Sequence, residues 1–316
     1  MGIKQFTIAA VLASGICTAQ PDSTATAYYK VFDSNLAVQA FVLNTANSFT
    51  LNYTQDNTVV DLTPNAKTTL GVAVQYDIIS FSLGFAPKFF KDNQDNNKES
   101  KMTSFSFNFF PGQWMQHLDL YYQKGITLES AGARVYLQNL KTIKIGGSTA
   151  YFFNKNFSFN ATAFQNAKQL KSAGSFAPTL SYYYTEFNGK KQEGFGSNAY
   201  FIDVALAPAY YYNWVIAKNF MLSAGGSLGA GFTTTVDDGS STSLLINGSL
   251  QLAPGYSGER FFCGMNIRTL FFSHQTESDV AMGDAIGYTT IFAGYRFDPP
   301  GVLEKERKKI EGKVKF

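Results

Sequence analysis

Residues 200–216 place apolar side chains on one parity of the chain and small or polar side chains on the other. The sequence is YFIDVALAPAYYYNWVI, and apart from one proline its even positions are apolar or aromatic, from Tyr200 to Ile216. The odd positions include Asp203, Asn213 and several alanines. Successive side chains of a strand point to opposite faces, so this pattern predicts a two-faced strand. The segment exceeds the roughly 5–6 residues of a globular strand and reaches the roughly 9–11 needed to cross a bilayer.

The same alternation recurs along the chain and predicts the wall of a membrane barrel. The candidate strands are 36–44, 48–54, 68–77, 80–89, 104–109, 115–124, 142–153, 157–163, 173–185, 200–216, 218–233, 243–253, 259–272 and 286–297. Their second face consists of Gly, Ala, Ser, Thr and Asn, whereas a soluble sandwich, which also alternates, usually exposes Lys and Glu there. We therefore predict an all-β fold, a transmembrane antiparallel β-barrel of about 14 strands, with about 12 as the alternative count.

The lengths of the connecting segments reveal a counting problem between residues 125 and 200. Short turns and long loops alternate in such barrels. They do so before residue 165 and again after residue 200, but the two series are out of phase. One strand is therefore missed or over-counted in this interval. Residues 126–141 are expected either to contain a further strand or to fold inward as a constriction.

The two ends of the chain differ from the region of strands. Residues 1–19 contain Lys4, then an apolar stretch, and end at Ala19, which is typical of a cleaved secretory signal peptide. Residues 20–297 are then the barrel domain. Residues 298–316 begin with two prolines and continue as a charged tail, for which we predict a short helix and a periplasmic location. Together these features predict a protein of the bacterial outer membrane.

The charge and cysteine content of the chain argue against a nucleic-acid partner and against an internal disulfide. Charged residues make up 16% of the chain, against about 25% in a typical soluble domain. Loss of Lys4 with the signal peptide lowers the formal net charge from +3 to +2, so no nucleic-acid partner is expected. Cys263 then remains as a single cysteine and cannot form an internal disulfide.

Few residues of the sequence are suited to catalysis or to metal binding. The only histidines are His117 and His274, which excludes a His-rich metal cluster, and we predict no metal site, no catalytic residue and no cofactor. The pair Ser273-His274 resembles the nucleophile and base of barrel lipid hydrolases. Neighbouring residues of a strand point in different directions, however, so an outer-membrane lipid hydrolase is the least favoured function.

Five ionisable residues fall on the parity that we assign to the lumen. They are His117, Asp119, Lys144, Asp203 and Arg268. A Lys or Arg facing lipid would cost roughly 2–4 kcal/mol at the bilayer midplane, which supports the inward assignment. We predict that these residues line a polar path for binding or permeation. The alternative is a mutually neutralising network that braces the wall.

The final candidate strand, 286–297, ends in Tyr295-x-Phe297 and alternates apolar residues. This pattern resembles the signal by which the barrel assembly machinery recognises outer-membrane barrels. A terminal strand with an aromatic girdle residue would show the same pattern. The partners predicted for this chain are thus the assembly machinery, outer-membrane lipids and a small solute.

The stretch 141–176 carries a group of distinctive short motifs. They are Lys144-Ile145-Gly146-Gly147, Tyr151-Phe152-Phe153-Asn154, Phe157-Ser158, Gln165, Gln169 and Lys171-Ser172-Ala173-Gly174-Ser175-Phe176. In these motifs the chain resembles an uncharacterised bacterial outer-membrane family, domain of unknown function 4421. The resemblance implies a barrel in a Gram-negative outer membrane and implies no activity. Residues 165–176 lie where the strand phase breaks, and a Gln-Lys-Ser-Gly cluster there could turn inward.

The predicted lumen face favours one class of function over another. Small side chains leave water-accessible space in a barrel of about 14 strands, so we predict a passive pore or a small-ligand transporter. The alternative is a non-conducting structural or adhesive barrel, whose loops 90–102 and 273–285 bind partners outside the cell.

Overall fold

Residues 27–299 of the computed structural model form one closed β-barrel unit. The structure describes residues 27–32, 34–53, 58–62, 66–94, 101–130, 133–192, 198–236, 240–275, 280–305 and 307. The predicted signal peptide, 1–19, lies outside the described residues. So do most residues of the predicted tail, in which residues 301–305 are helical.

The described residues form seventeen strands, numbered here in chain order. They are β1 (Tyr29–Val31), β2 (Leu36–Tyr53), β3 (Thr58–Leu62), β4 (Lys67–Tyr76), β5 (Ile79–Phe85), β6 (Lys101–Phe109), β7 (Trp114–Ser130), β8 (Ala133–Tyr151), β9 (Ala167–Gln169), β10 (Ala173–Phe176), β11 (Thr179–Asn188), β12 (Asn198–Ala207), β13 (Ala209–Ala217), β14 (Phe220–Val236), β15 (Ser240–Ser257), β16 (Phe261–Gln275) and β17 (Val280–Phe297). Short 3₁₀ turns lie at Lys91–Asn93 and Asn160–Ala163.

These strands build a closed barrel wall of twelve antiparallel strands, three of which are interrupted. Each interrupted wall strand consists of two consecutive numbered strands, namely β3 with β4, β10 with β11, and β12 with β13. Pro178 and Pro208 lie at two of these breaks, because proline has no N–H to donate to the ladder. The wall closes where β17 pairs with β2 along its whole length. Strands β1 and β9 pair only with each other.

The count of twelve corrects the favoured count of fourteen and agrees with the alternative. Segment 36–44 and the described residues of 48–54 belong to the single strand β2, whose pairing with β17 continues between them. Segment 157–163 alternates like a strand but is not part of the wall, which accounts for an over-count in the interval where the phase breaks. The described residues of 126–141 neither add a strand nor fold inward, because they extend β7 and β8, which pair with each other.

The two faces of the wall follow the parity predicted from the sequence. On β12, Ile202, Val204 and Leu206 are exposed on the outer surface, whereas Asp203 and Ala205 are buried inside. Aromatic pairs lie on the outer face near one end of the barrel, such as Trp114 with Tyr151 and Tyr295 with Phe297. An apolar band bordered by aromatic rings is the surface that a barrel presents to lipid. Within the described ranges, no helix is long and apolar enough to cross a membrane.

The aromatic end of the barrel carries the short connections. Residues 77–78, 218–219 and 258–260 are tight turns between adjacent strands of the wall. Short turns face the periplasm in bacterial barrels, so we expect this end to be the periplasmic one. At the same end, residues 152–172 connect β8 to β10 and turn into the lumen. We call residues 152–172 the plug.

Candidate functional site

The lumen contains a cavity of about 340 Å³ that is enclosed by the wall and floored by the plug. The plug contributes Phe159, Thr162, Ala163 and Gln165 to the cavity lining. The wall contributes mostly Ser, Asn, Tyr and Phe side chains from the inward parity of its strands. This volume is in the range of small-molecule sites, roughly 300–1,000 Å³.

Arg296 of β17 fixes the plug to the wall and is fully buried. Its guanidinium donates hydrogen bonds to the Phe164 carbonyl at 2.6 Å and to the Gln165 carbonyl, both in the plug. On the wall side it donates to the Gly258 carbonyl at 2.7 Å, to Ser257 Oγ at 2.9 Å and more weakly to the Glu259 carbonyl at 3.3 Å.

The flat faces of the same guanidinium are covered by two aromatic rings. The ring centres of Phe32 and Phe262 lie 4.0 and 4.9 Å from Arg296 Cζ. A guanidinium stacks well on aromatic rings and presents its five donors in a fixed plane. Arg296 therefore joins the plug, the turn between β15 and β16, and the segment before β2.

Amide side chains complete the attachment of the plug. Gln165 Nε2 donates to Gln39 Oε1 at 3.2 Å, and Gln165 Oε1 accepts from Ser80 Oγ at 3.2 Å. Asn166 Nδ2 donates to the Asn35 and Gln75 carbonyls.

Gln169, one of the two glutamines singled out in the sequence motif, has the largest set of such bonds. Its Oε1 accepts from the Ser158 N–H at 3.0 Å and from Asn213 Nδ2 at 3.2 Å. Its Nε2 donates to the Tyr28, Asn156 and Lys171 carbonyls. These bonds provide partners for backbone N–H and C=O groups of the irregular segment inside the barrel. Backbone polar groups at the depth of the membrane need such partners within the protein. They also explain why the motif is rich in glutamine.

Phe164 forms the apolar centre of the plug and holds an unusual backbone conformation. Its φ is +60°, in the left-handed region that bulky residues rarely occupy, and its side chain is buried. The ring packs against Gly255 of β15, where an added Cβ would lie 2.6 Å from the ring. Packing and the bond from Arg296 thus hold a conformation that would be unfavourable by itself.

On the wall, His117 and Asp119 form a compact hydrogen-bonded group with β6. His117 Nε2 lies 2.6 Å from Asp119 Oδ2, and His117 Nδ1 lies 2.6 Å from Asn108 Oδ1. Ser106 Oγ donates to the other carboxylate oxygen, Asp119 Oδ1, at 2.6 Å. Both oxygens of Asp119 are therefore engaged within the wall, which favours the bracing role for this pair.

Lys144 lies on the cavity lining near two aromatic rings. Its Nζ is 4.8 Å from the ring centre of Tyr183 and 5.1 Å from that of Phe272. Gly146 lies two residues further along β8, and a Cβ there would lie 2.4 Å from the Tyr183 ring. The glycine of the sequence motif thus leaves room for the ring of this tyrosine beside the wall.

Arg268 of β16 also lines the cavity, but its environment is different from that of Arg296. Asp119 and the hydroxyls of Tyr183, Tyr211 and Tyr288 surround it as electrostatic neighbours. No hydrogen bond or ion pair connects its guanidinium to another residue in the described part of the chain.

The structure separates the five candidate residues into two groups. His117, Asp119, Lys144 and Arg268 line the cavity, whereas Asp203 is buried in the wall and accepts a hydrogen bond from Thr233 Oγ1 at 2.5 Å. His117, Asp119 and Asp203 make hydrogen bonds within the wall. Lys144 also has interactions of its own. For all five residues, a role in binding stays a prediction.

Ser273 and His274, the residues considered for lipid hydrolysis, are not brought together in a described site. Ser273 is exposed on the outer parity of β16, and it makes no hydrogen bond with a described residue. The side chain of His274 lies outside the described residues. In the described portion of the chain, no group of three or more His, Cys, Asp or Glu residues could hold a metal ion.

Arg296, Gln75 and Asn213 hold the plug by hydrogen bonds, a role that parity along the sequence does not reveal. Arg296 lies between Tyr295 and Phe297, so its inward parity is visible in the sequence. Its function as an anchor is not visible there, because its partners come from residues that are far apart along the chain.

Comparison with known proteins identifies the family. The family model "Domain of unknown function (DUF4421)" matches residues 20–297. The chain belongs to this family. The family resemblance expected from the motifs in 141–176 is therefore confirmed, and the barrel fold with its apolar outer face is that of outer-membrane β-barrels. No curated protein matches the chain.

Several solved outer-membrane proteins are similar to this DUF4421 chain in fold. The outer membrane protease OmpT from Escherichia coli is 9% identical with a TM-score of 0.34, covering 85% of this chain and 98% of its own. OmpT of Vibrio cholerae is 9% identical with a TM-score of 0.33, covering 84% and 98%. OprG from Pseudomonas aeruginosa is 10% identical with a TM-score of 0.25, covering 85% and 99%. Similarities at this level carry no argument about activity.

Proposed function

We propose that this DUF4421 protein binds a small solute in the lumen of an outer-membrane barrel whose plug blocks passive conduction. The observation that carries the proposal is the cavity floor, which consists of plug residues fixed by Arg296, Gln165 and Asn166. A freely conducting pore needs a continuous path, and on this proposal the plug interrupts it. The solute would enter the cavity from the end opposite the plug.

Planar-bilayer recordings of the refolded protein test the proposal. The matched variant replaces residues 155–171 with a short Gly-Ser linker, which leaves the strands of the wall unchanged. We expect no stepwise current from the native chain and stable current steps from the plug-deleted chain. Stable steps from the native chain would overturn the proposal, and so would a plug-deleted chain that folds but does not conduct.

A structural or adhesive barrel was the alternative prediction, and it depends on loops 90–102 and 273–285. Residues 95–100 and 276–279 of these loops lie outside the described residues, so this alternative stays a prediction. The cavity and its plug support solute binding in the lumen.

A further inference from the structure

Two arginines of the lumen face inward from adjacent strands and differ in every contact. Arg296 of β17 donates to four close acceptors and lies between two aromatic rings. Arg268 of β16 makes no hydrogen bond and no ion pair with a described residue, and it lines the open cavity half-buried. An arginine carries five N–H donors, which here remain accessible from the cavity. The first arginine therefore has a structural role, and the second has donors available to a ligand.

The acidic neighbour of Arg268 does not pair with it directly. Asp119 attracts Arg268 electrostatically, but its two hydrogen bonds at 2.6 Å come from Ser106 and His117. The other neighbours, Tyr183 and Tyr211 among them, offer hydroxyl groups and aromatic rings and carry no charge. Lys144 also lies beside Tyr183, and it has a further partner of its own. Among the described cavity residues, Arg268 is thus a cation with aromatic neighbours and no hydrogen bond.

We infer that the lumen site takes a small organic anion, whose carboxylate or phosphate group binds Arg268 and whose planar or ring-shaped part packs against the tyrosines. A guanidinium can bind a carboxylate or a phosphate through two parallel hydrogen bonds. The N–H groups of Arg268, which have no hydrogen-bond partner among the described residues, are available for such bonds. The rings of Tyr183 and Tyr211 pack closely against Gly146 and Gly225, where an added Cβ would lie 2.4 and 2.1 Å from them. Both tyrosines line the cavity and offer aromatic surface to a ligand.

The inference rests on the proposed binding function and adds the charge and class of the ligand. Gln251 gives a reporter position, because it lines the cavity and is the cross-strand partner of Arg268 on β15. Partners of this kind have Cβ atoms about 4.5–5.5 Å apart. The test protein carries Gln251→Cys together with Cys263→Ala, which removes a cysteine on the outer parity of β16.

The experiment compares two thiol reagents of opposite charge on the refolded barrel. One is the anionic ethylsulfonate methanethiosulfonate, and the other is its cationic trimethylammonium-ethyl counterpart. Mass spectrometry gives both modification rates, each normalised to the rate with free cysteine. We expect the anionic reagent to be favoured by at least about tenfold at position 251, because the charge of Arg268 is close and poorly screened. Arg268→Gln should abolish the preference, and Arg268→Lys should retain most of it.

The outcomes separate this inference from the function on which it rests. Equal normalised rates, or a preference that survives Arg268→Gln, would overturn the anion site and leave the binding cavity intact. If neither reagent reaches position 251 until the barrel is unfolded, both proposals are wrong. Arg260→Gln is the matched control, since Arg260 is an exposed residue of the turn at 258–260 that pairs with Asp298.

Benzoate and benzamide test the class of ligand on the same test protein. We expect millimolar benzoate to slow modification of position 251 by a neutral methanethiosulfonate, while benzamide, which has the same ring without the charge, leaves the rate unchanged. Equal effects of the two compounds, including no effect from either, would overturn the assignment to organic anions with a ring.

Discussion

Replacement of Arg296 by Met tests whether one side chain holds the plug in the lumen. Met has a similar length but donates no hydrogen bond. The change leaves four close acceptors without their donor: the carbonyls of Phe164, Gln165 and Gly258, and Ser257 Oγ. The fifth acceptor, at 3.3 Å, contributes little.

The magnitude follows from the number of acceptors. A buried polar group that loses its partner costs about 1–3 kcal/mol, so four such groups give about 4–12 kcal/mol. Water can enter from the periplasmic mouth and satisfy some of them, which places the expected loss near the lower bound, about 4 kcal/mol. This corresponds to an increase of about 10³-fold in the equilibrium population of the released plug.

Hydrogen exchange measured by mass spectrometry on a peptide covering 158–170 checks this value. We expect protection of this peptide to fall by about 10³-fold in Arg296→Met, while peptides of β14 and β15 stay protected because the wall is intact. Bilayer recordings should show intermittent current steps in the same variant. Arg260→Met, on the neighbouring turn, should change both readouts far less, since Arg260 pairs with Asp298 at the surface and donates one hydrogen bond, at 3.2 Å, to the Arg296 carbonyl. A folded Arg296→Met barrel with native protection at 158–170 would refute the reasoning.

Three further predictions concern packing, lipid exposure and pH. Gly255→Ala should weaken plug protection by about 1–3 kcal/mol, because its Cβ would lie 2.6 Å from the Phe164 ring, whereas Gly301→Ala meets no atom within 4 Å and should be neutral in the same exchange measurement. Leu250→Lys should lower the free energy of unfolding by roughly 2–4 kcal/mol in folding titrations in vesicles, because Leu250 is 63% exposed on the outer face. Ser249, the adjacent residue, lines the cavity and should tolerate Lys better. Equal costs at the two positions would contradict the assignment of faces. The hydrogen bond from Lys30, 2.6 Å away, holds the pKa of Glu259 below its ordinary value of 4.5. The pair therefore stabilises the segment before β2 at pH values above 4.5, and this stabilisation is lost as the pH falls through the lowered pKa. The pair is exposed, so exchange of residues 27–32 should change by only about 0.2–1 kcal/mol over this pH range, and the change should be absent in Glu259→Gln.

The sequence by itself determined the wall of this barrel. Alternation is a local property, since each side chain is assigned to lipid or lumen by the parity of its own strand, and lipid admits few charges on one of the two faces. The outward positions of Ile202 and Leu206 and the inward positions of His117 and Arg268 could therefore be predicted without knowing which strands are neighbours. Parity does not give the number of strands where one strand contains a polar interval. Such an interval divides β2 into two candidate strands in the sequence, although its pairing is continuous.

The tertiary structure decided what fills the lumen. Phe157 and Phe159 alternate as lipid-facing residues do, yet they pack against Phe152 inside the barrel, because a buried apolar contact satisfies an aromatic ring as well as lipid does. Arg268 and Arg296 have the same inward parity and differ only in their partners. Those partners come from the plug, the turn at 258–260 and the opposite wall, which closure of the barrel brings together over long distances in sequence.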